Sequence, residues 1–138
     1  MPFFGQELFI QAAGKGPLTD PAYLEALATC RRLSRDEGLD AVIKEHRLDA
    51  IVAPTGGPAW LTDHVLGDHP YGGGDSAPPA VAGYPNMTVP MGFVSGLPVG
   101  LSFMGPAWSE PSLIRIAGAY EAATNHRRPP KLLPSIDA

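Results

Sequence analysis

Residues 48–55 read Leu48-Asp49-Ala50-Ile51-Val52-Ala53-Pro54-Thr55. The run is short, apolar and β-branched, and a proline stops it. A run of this length, placed after a long helical stretch, predicts a buried strand of an α/β sheet, centred on 49–53. Upstream, Thr19 or Asp20 is placed to cap a helix, and Pro21 is tolerated in its first turn. From there the sequence predicts one long helix over about 21–46. Leu24, Leu27 and Ala28, then Leu39, Val42 and Ile43, fall at a 3.6-residue period. Gly38 lies inside this stretch, weakens it by about 1 kcal/mol relative to alanine, and marks where it can break. Arg31, Arg32, Arg35, Asp36 and Glu37 read as a solvated face. Earlier still, Phe4, Leu8 and Ala12 predict a short helix within 3–13, ended by Gly14-Lys15-Gly16-Pro17.

Downstream of Thr55 the pattern changes. Residues 54–79 have no period and are dense in glycine and proline. A long loop inside a compact domain is usually functional. Two strands follow, at 87–91 and 99–104, joined by a turn at Ser95-Gly96-Leu97-Pro98 that predicts a hairpin. Ser109 is placed to cap a last helix over about 110–124, with Leu113, Ile116, Ala117 and Tyr120 as its buried stripe. The tail 126–138, with Pro129, Pro130 and Pro134, reads as loose. The expected fold class is α/β: a mixed sheet flanked by a long helix and a C-terminal helix.

Composition narrows the function. The 138 residues carry 10 Lys and Arg against 14 Asp and Glu, a formal net charge of −4. That excludes a basic nucleic-acid footprint. No run of 18 apolar residues occurs, so no membrane-spanning helix is expected. The start has no basic segment leading into an apolar one, which makes a cytoplasmic protein the default expectation. Cys30 is the single cysteine, so no intrachain disulfide framework is possible. Charged residues are 17% of the chain, below the usual quarter, and Gly and Pro number 16 each, together about double ordinary usage. Low charge with many loops suits a piece whose uncharged faces lie against something else.

Two stretches invite chemistry. Asp63, His64, Asp68 and His69 offer imidazole and carboxylate ligands, but their spacing matches no metal motif and glycines surround them. They read as a polar surface loop, and no metal is expected. Gly72-Gly73-Gly74-Asp75-Ser76 allows close backbone approach and free N–H donors. It can be a plain turn, the wall of a substrate pocket, or a nucleophile loop. The last needs a base to activate Ser76.

A family resemblance organises these elements. The 48–55 run resembles a strand of the amidase signature family. Ala82-Gly83-Tyr84-Pro85-Asn86-Met87-Thr88-Val89-Pro90-Met91-Gly92 is similar to a second segment of that family. Gly96-Leu97-Pro98-Val99-Gly100-Leu101-Ser102-Phe103-Met104-Gly105 is similar to a third. Order and spacing agree, and Tyr120-Glu121 resembles part of the family's last helix. The resemblance covers about residues 20–125. Pro2-Phe3-Phe4-Gly5-Gln6-Glu7 and Thr55-Gly56-Gly57-Pro58-Ala59-Trp60 lean toward its peptide-amidase-like branch.

The resemblance implies hydrolysis of carbon–nitrogen amide bonds without a metal or other cofactor. It implies a Ser–cis-Ser–Lys triad on a mixed sheet, with backbone N–H groups as oxyanion hole. This chain has no Ser-Ser pair, and Lys15, Lys44 and Lys131 do not match the catalytic position. It therefore resembles the C-terminal portion of an amidase, a single partial domain over 1–138 with no catalytic residue of its own. The positions carried over edge the substrate pocket: Thr55, Gly57, Trp60, Gly73, Asp75 and Ser76. Pro90 and Gly92 match the family's motif as structural residues. The implied partner is a small amide or peptide amide in the full-length context. The rival reading is a non-catalytic scaffold or subunit that completes a partner's pocket. Without its upstream strands the sheet would have an open edge, and self-association through that edge is expected.

Overall fold

The structure, a computed structural model, describes residues 5–68 and 74–132. The first helix, α1, spans Glu7–Ala13, and residues 3 and 4 of the predicted helix lie outside the described residues. The long helix is divided. α2 runs Pro21–Arg31, with Asp20 as its cap: the Ala22 amide donates to Asp20 Oδ1 at 3.0 Å. Arg32–Leu39 then winds in wider turns and kinks at Gly38, whose φ of −109° and ψ of −112° are not helical. α3 resumes over Asp40–His46.

The break falls at the glycine, but for a reason other than weak propensity. A Cβ at residue 38 would sit 2.5 Å from the backbone carbonyl oxygen of Leu33. Helix propensity alone says Gly38→Ala stabilises by about 1 kcal/mol. Steric overlap says it destabilises by about 1–3 kcal/mol, because backbone rather than a flexible side chain must move. The second effect should win, and the denaturant midpoint of the variant gives the sign directly.

The sheet has three strands in the order β1-β3-β2: β1 Ile51–Pro54, β2 Asn86–Val94 and β3 Leu97–Met104. Both pairings are antiparallel, with Ile51 opposite Met104 and Asn86 opposite the same residue from the other side. The predicted hairpin is β2–β3. Met91 is the extra residue of a bulge between Pro90 and Gly92. Pro90 thus sits next to the irregularity where a missing N–H is tolerated. Two expectations are corrected here. The three strands form an antiparallel rather than a mixed sheet. Moreover, β1 is an edge strand, with Val52 54% exposed, rather than a strand buried on both faces.

Alternation along β3 divides the core into two faces. Phe103 packs with Val89, Leu113 and Ala117, so α5 (Glu110–Thr124) covers that face. The rings of Phe103 and Tyr120 meet edge to face at 5.9 Å. Met104 points the other way and packs with Leu39 and Ala82, flanked by Ile43, Ile51, Ala53 and Tyr84. Here α3 and a short helix α4 (Ala77–Ala82) cover the sheet. Ser109 precedes α5, but its hydroxyl makes no cap: Oγ is buried without a hydrogen-bond partner among the described residues.

The α4 helix shortens the predicted 54–79 loop to residues 55–76. Its signals are Pro78 in the first turn and Gly83 just past the end, at φ 69°. Arg35, read from sequence as solvated, instead fastens this helix. Its Nε donates to the Ala82 carbonyl at 2.6 Å, and its guanidinium lies 5.3 Å from the centre of the Tyr84 ring. The Tyr84 hydroxyl donates to Asp40 Oδ2 at 2.7 Å.

This last bond carries a pH signature. Burial, and after it the hydrogen bond and charge of Asp40, raise the Tyr84 pKa above the usual tyrosine value of 10.0. A raised folded value means the unfolded chain loses its proton first. The contribution is therefore fully present below about pH 10 and lost as pH climbs through the raised value. Denaturant midpoints measured across the alkaline range should fall more steeply for the native chain than for Tyr84→Phe.

Among the described residues no helix is long and apolar enough to cross a membrane.

Candidate functional site

Three hydroxyls meet where the sheet ends. Thr55 follows β1, and its amide donates to the Gly100 carbonyl at 2.8 Å, extending the ladder by one step. Its Oγ1 lies 2.7 Å from Ser102 Oγ and 3.3 Å from Thr88 Oγ1, and Thr88 Oγ1 lies 3.1 Å from Ser102 Oγ. Ser102 is fully buried. Register explains the meeting, because Thr88 and Ser102 are opposite partners and therefore share a face. Gly100 makes room: a Cβ there would come within 2.7 Å of both Thr55 Oγ1 and Thr88 Cγ2.

The cluster contains no base. Each hydroxyl can satisfy another, at about 1 kcal/mol net per bond, but none can be deprotonated by its neighbours. Its effect is to fix Thr55, the first residue of the 55–76 loop, against β3. Sequence reading found Thr55 but missed Thr88 and Ser102. The available signal was a small hydroxyl residue on the inward face of each of two otherwise apolar strands.

The loop returns to the same place. A Cβ on Gly74 would lie 3.7 Å from the Thr55 carbonyl oxygen and 3.9 Å from Ser76 Oγ. Thr55 and the 74–76 segment, predicted as pocket-edging residues, are thus brought together. Asp75 is half-buried, and both its carboxylate oxygens are closed off from solvent without a hydrogen-bond partner among the described residues. Ser76 is exposed, and its carbonyl accepts the Ala80 amide at 3.0 Å in the first turn of α4. Gly57 is half-buried on the outgoing arm of the loop, and Trp60 is 45% exposed. Gly73 lies outside the described residues.

The Asp63–His69 segment is tied to itself. Asp63 Oδ1 accepts the amides of Val65 and Leu66 at 2.8 and 2.9 Å, and these bonds lower the Asp63 pKa. Asp68 Oδ1 accepts the Asp63 amide at 3.1 Å. His69 lies outside the described residues. Among the described residues no three His, Cys, Asp or Glu side chains gather as a metal site.

Comparison with known proteins gives this geometry a family. The Amidase family model matches residues 4–114. A probable amidase from Arabidopsis thaliana is 37% identical over 131 residues, which is 94% of this chain and 22% of that protein. The structure of a peptide amidase from Stenotrophomonas maltophilia superposes with a TM-score of 0.83 at 53% identity, covering 94% of this chain and 26% of that one. A glutamyl-tRNA(Gln) amidotransferase structure from Thermotoga maritima superposes with a TM-score of 0.59 at 27% identity, covering 77% and 23%. The chain therefore spans about a quarter of the length of these relatives. With the model matched over most of its length and the motif strands in the resembled order, the chain belongs to the amidase signature family, on its peptide-amidase-like side.

Proposed function

We propose that this chain is the C-terminal portion of an amide hydrolase and supplies one wall of its substrate pocket. The wall is Thr55, Gly57, Trp60, Gly73, Asp75 and Ser76, and the substrate is a small amide or a peptide amide. The nucleophile and its base belong to the remaining three-quarters of the fold. The observation that carries this reading is the 53% identity to a peptide amidase over 94% of this chain but only 26% of that one. Two features of the chain support it. The pre-positioned hydroxyls at the loop's root form a cluster without a base. Trp60 holds a broad apolar surface open to solvent at the loop, as a pocket wall needs before its ligand is bound. The open strand edges have the same origin, and the isolated chain self-associates through them.

The test is a chimera in which this chain replaces the corresponding quarter of the Stenotrophomonas maltophilia peptide amidase. It should hydrolyse peptide amides. Trp60→Ala in the chimera should raise KM about tenfold with a smaller change in kcat, as loss of a binding wall does. A folded chimera without turnover would count against the reading.

A further inference from the structure

The Asp75 carboxylate is the most expensive polar group in the described structure. Both oxygens are closed off from water, and neither has a donor among the described residues. A buried carboxylate in this state is strongly unfavourable unless a donor arrives. The group cannot swing far to find one. Gly74 holds the chain before it against the Thr55 carbonyl, and α4 begins directly after Ser76, fastened by the Arg35–Ala82 bond.

We propose that Asp75 receives a cationic nitrogen, an ammonium or guanidinium group, at the edge of the pocket. This rests on reading the loop as a pocket wall. Two open oxygens on one rigid carboxylate fit a two-donor cation, whose charge-assisted bonds are about twice as strong as those of a neutral amide. The cation has two possible sources: a basic or amino group of the substrate, or a basic side chain from the rest of the hydrolase.

The isolated chain tests the shared chemistry without relying on catalysis. Millimolar argininamide should raise its denaturant midpoint, while citrullinamide, neutral and of the same shape, should not. Asp75→Asn should abolish the argininamide effect and raise the midpoint in the absence of ligand, since an unpartnered carboxylate is removed. The chimera then identifies the source. If the substrate brings the cation, kcat/KM for acetyl-arginine amide should exceed that for acetyl-citrulline amide at least tenfold, and Asp75→Asn should bring the ratio near one. If the protein brings it, the ratio is near one in both forms and Asp75→Asn lowers the melting temperature of the chimera. An argininamide effect that persists in Asp75→Asn, or is absent from the native chain, overturns the proposal. A midpoint lowered by Asp75→Asn in the isolated chain overturns it too, because the carboxylate would then have a partner within these residues. A chimera without any turnover, beside a clear argininamide effect, would instead remove the pocket reading and leave the cation site standing.

Discussion

Purified alone, the chain is expected to self-associate and to unfold at a midpoint that depends on concentration. The reason is uncovered apolar area. Leu8, Phe9 and Ile10, consecutive in α1, are 78%, 77% and 70% exposed, and α1 buries no residue. β1 pairs on one side only, and neither it nor β2 carries a charged residue to discourage a foreign strand. The accessible surface of the chain is 10519 Å², where a compact protein of this mass would show about 6,900 Å². At about 25 cal/mol per Å², a few hundred Å² of apolar surface left wet forfeits several kcal/mol. That is comparable to the whole stability of a small domain, about 5–15 kcal/mol. Size-exclusion chromatography with denaturant melts at several concentrations decides the matter. A monodisperse monomer with cooperative, concentration-independent unfolding would show the 138 residues to be a self-sufficient domain.

The second large effect concerns turnover. On simple peptide and aryl amides the isolated chain should stay at background, about 10⁶-fold or more below the chimera. A serine hydroxyl attacks an amide only when a base takes its proton. Ser102 is enclosed among hydroxyls, and Ser76 is exposed at the start of α4. Lys15, Lys44 and Lys131 are all exposed, and none lies in the Thr55 cluster or the 74–76 segment. The wall can position a substrate, but positioning without a nucleophile breaks no bond.

Element identity was legible because hydrophobic period and turn residues act locally. The β2–β3 hairpin followed from two apolar runs around Ser95-Gly96, and α5 followed from Leu113, Ile116, Ala117 and Tyr120. What escaped the sequence depends on distant partners. Arg35 looks like one of five solvated charges until α4 places the Ala82 carbonyl within its reach. The polarity of strand pairing and the edge position of β1 were hidden for the same reason, since a short apolar run reads alike in a central and an edge strand. At the site, Thr55 and the 74–76 segment could be named from family motifs. The meeting of Thr55 with Thr88 and Ser102 could not, because it is set by register. α4 was missed although Pro78 and Gly83 bracket it, since glycine and proline density before it dominates the reading.

The most direct measurement is a side-by-side initial rate of amide hydrolysis for the isolated chain, its Ser76→Ala variant and the peptide-amidase chimera. The expected result is turnover by the chimera and none above background by either form of the isolated chain. Turnover by the isolated chain that disappears in Ser76→Ala would contradict it, because the chain would then hold its own nucleophile.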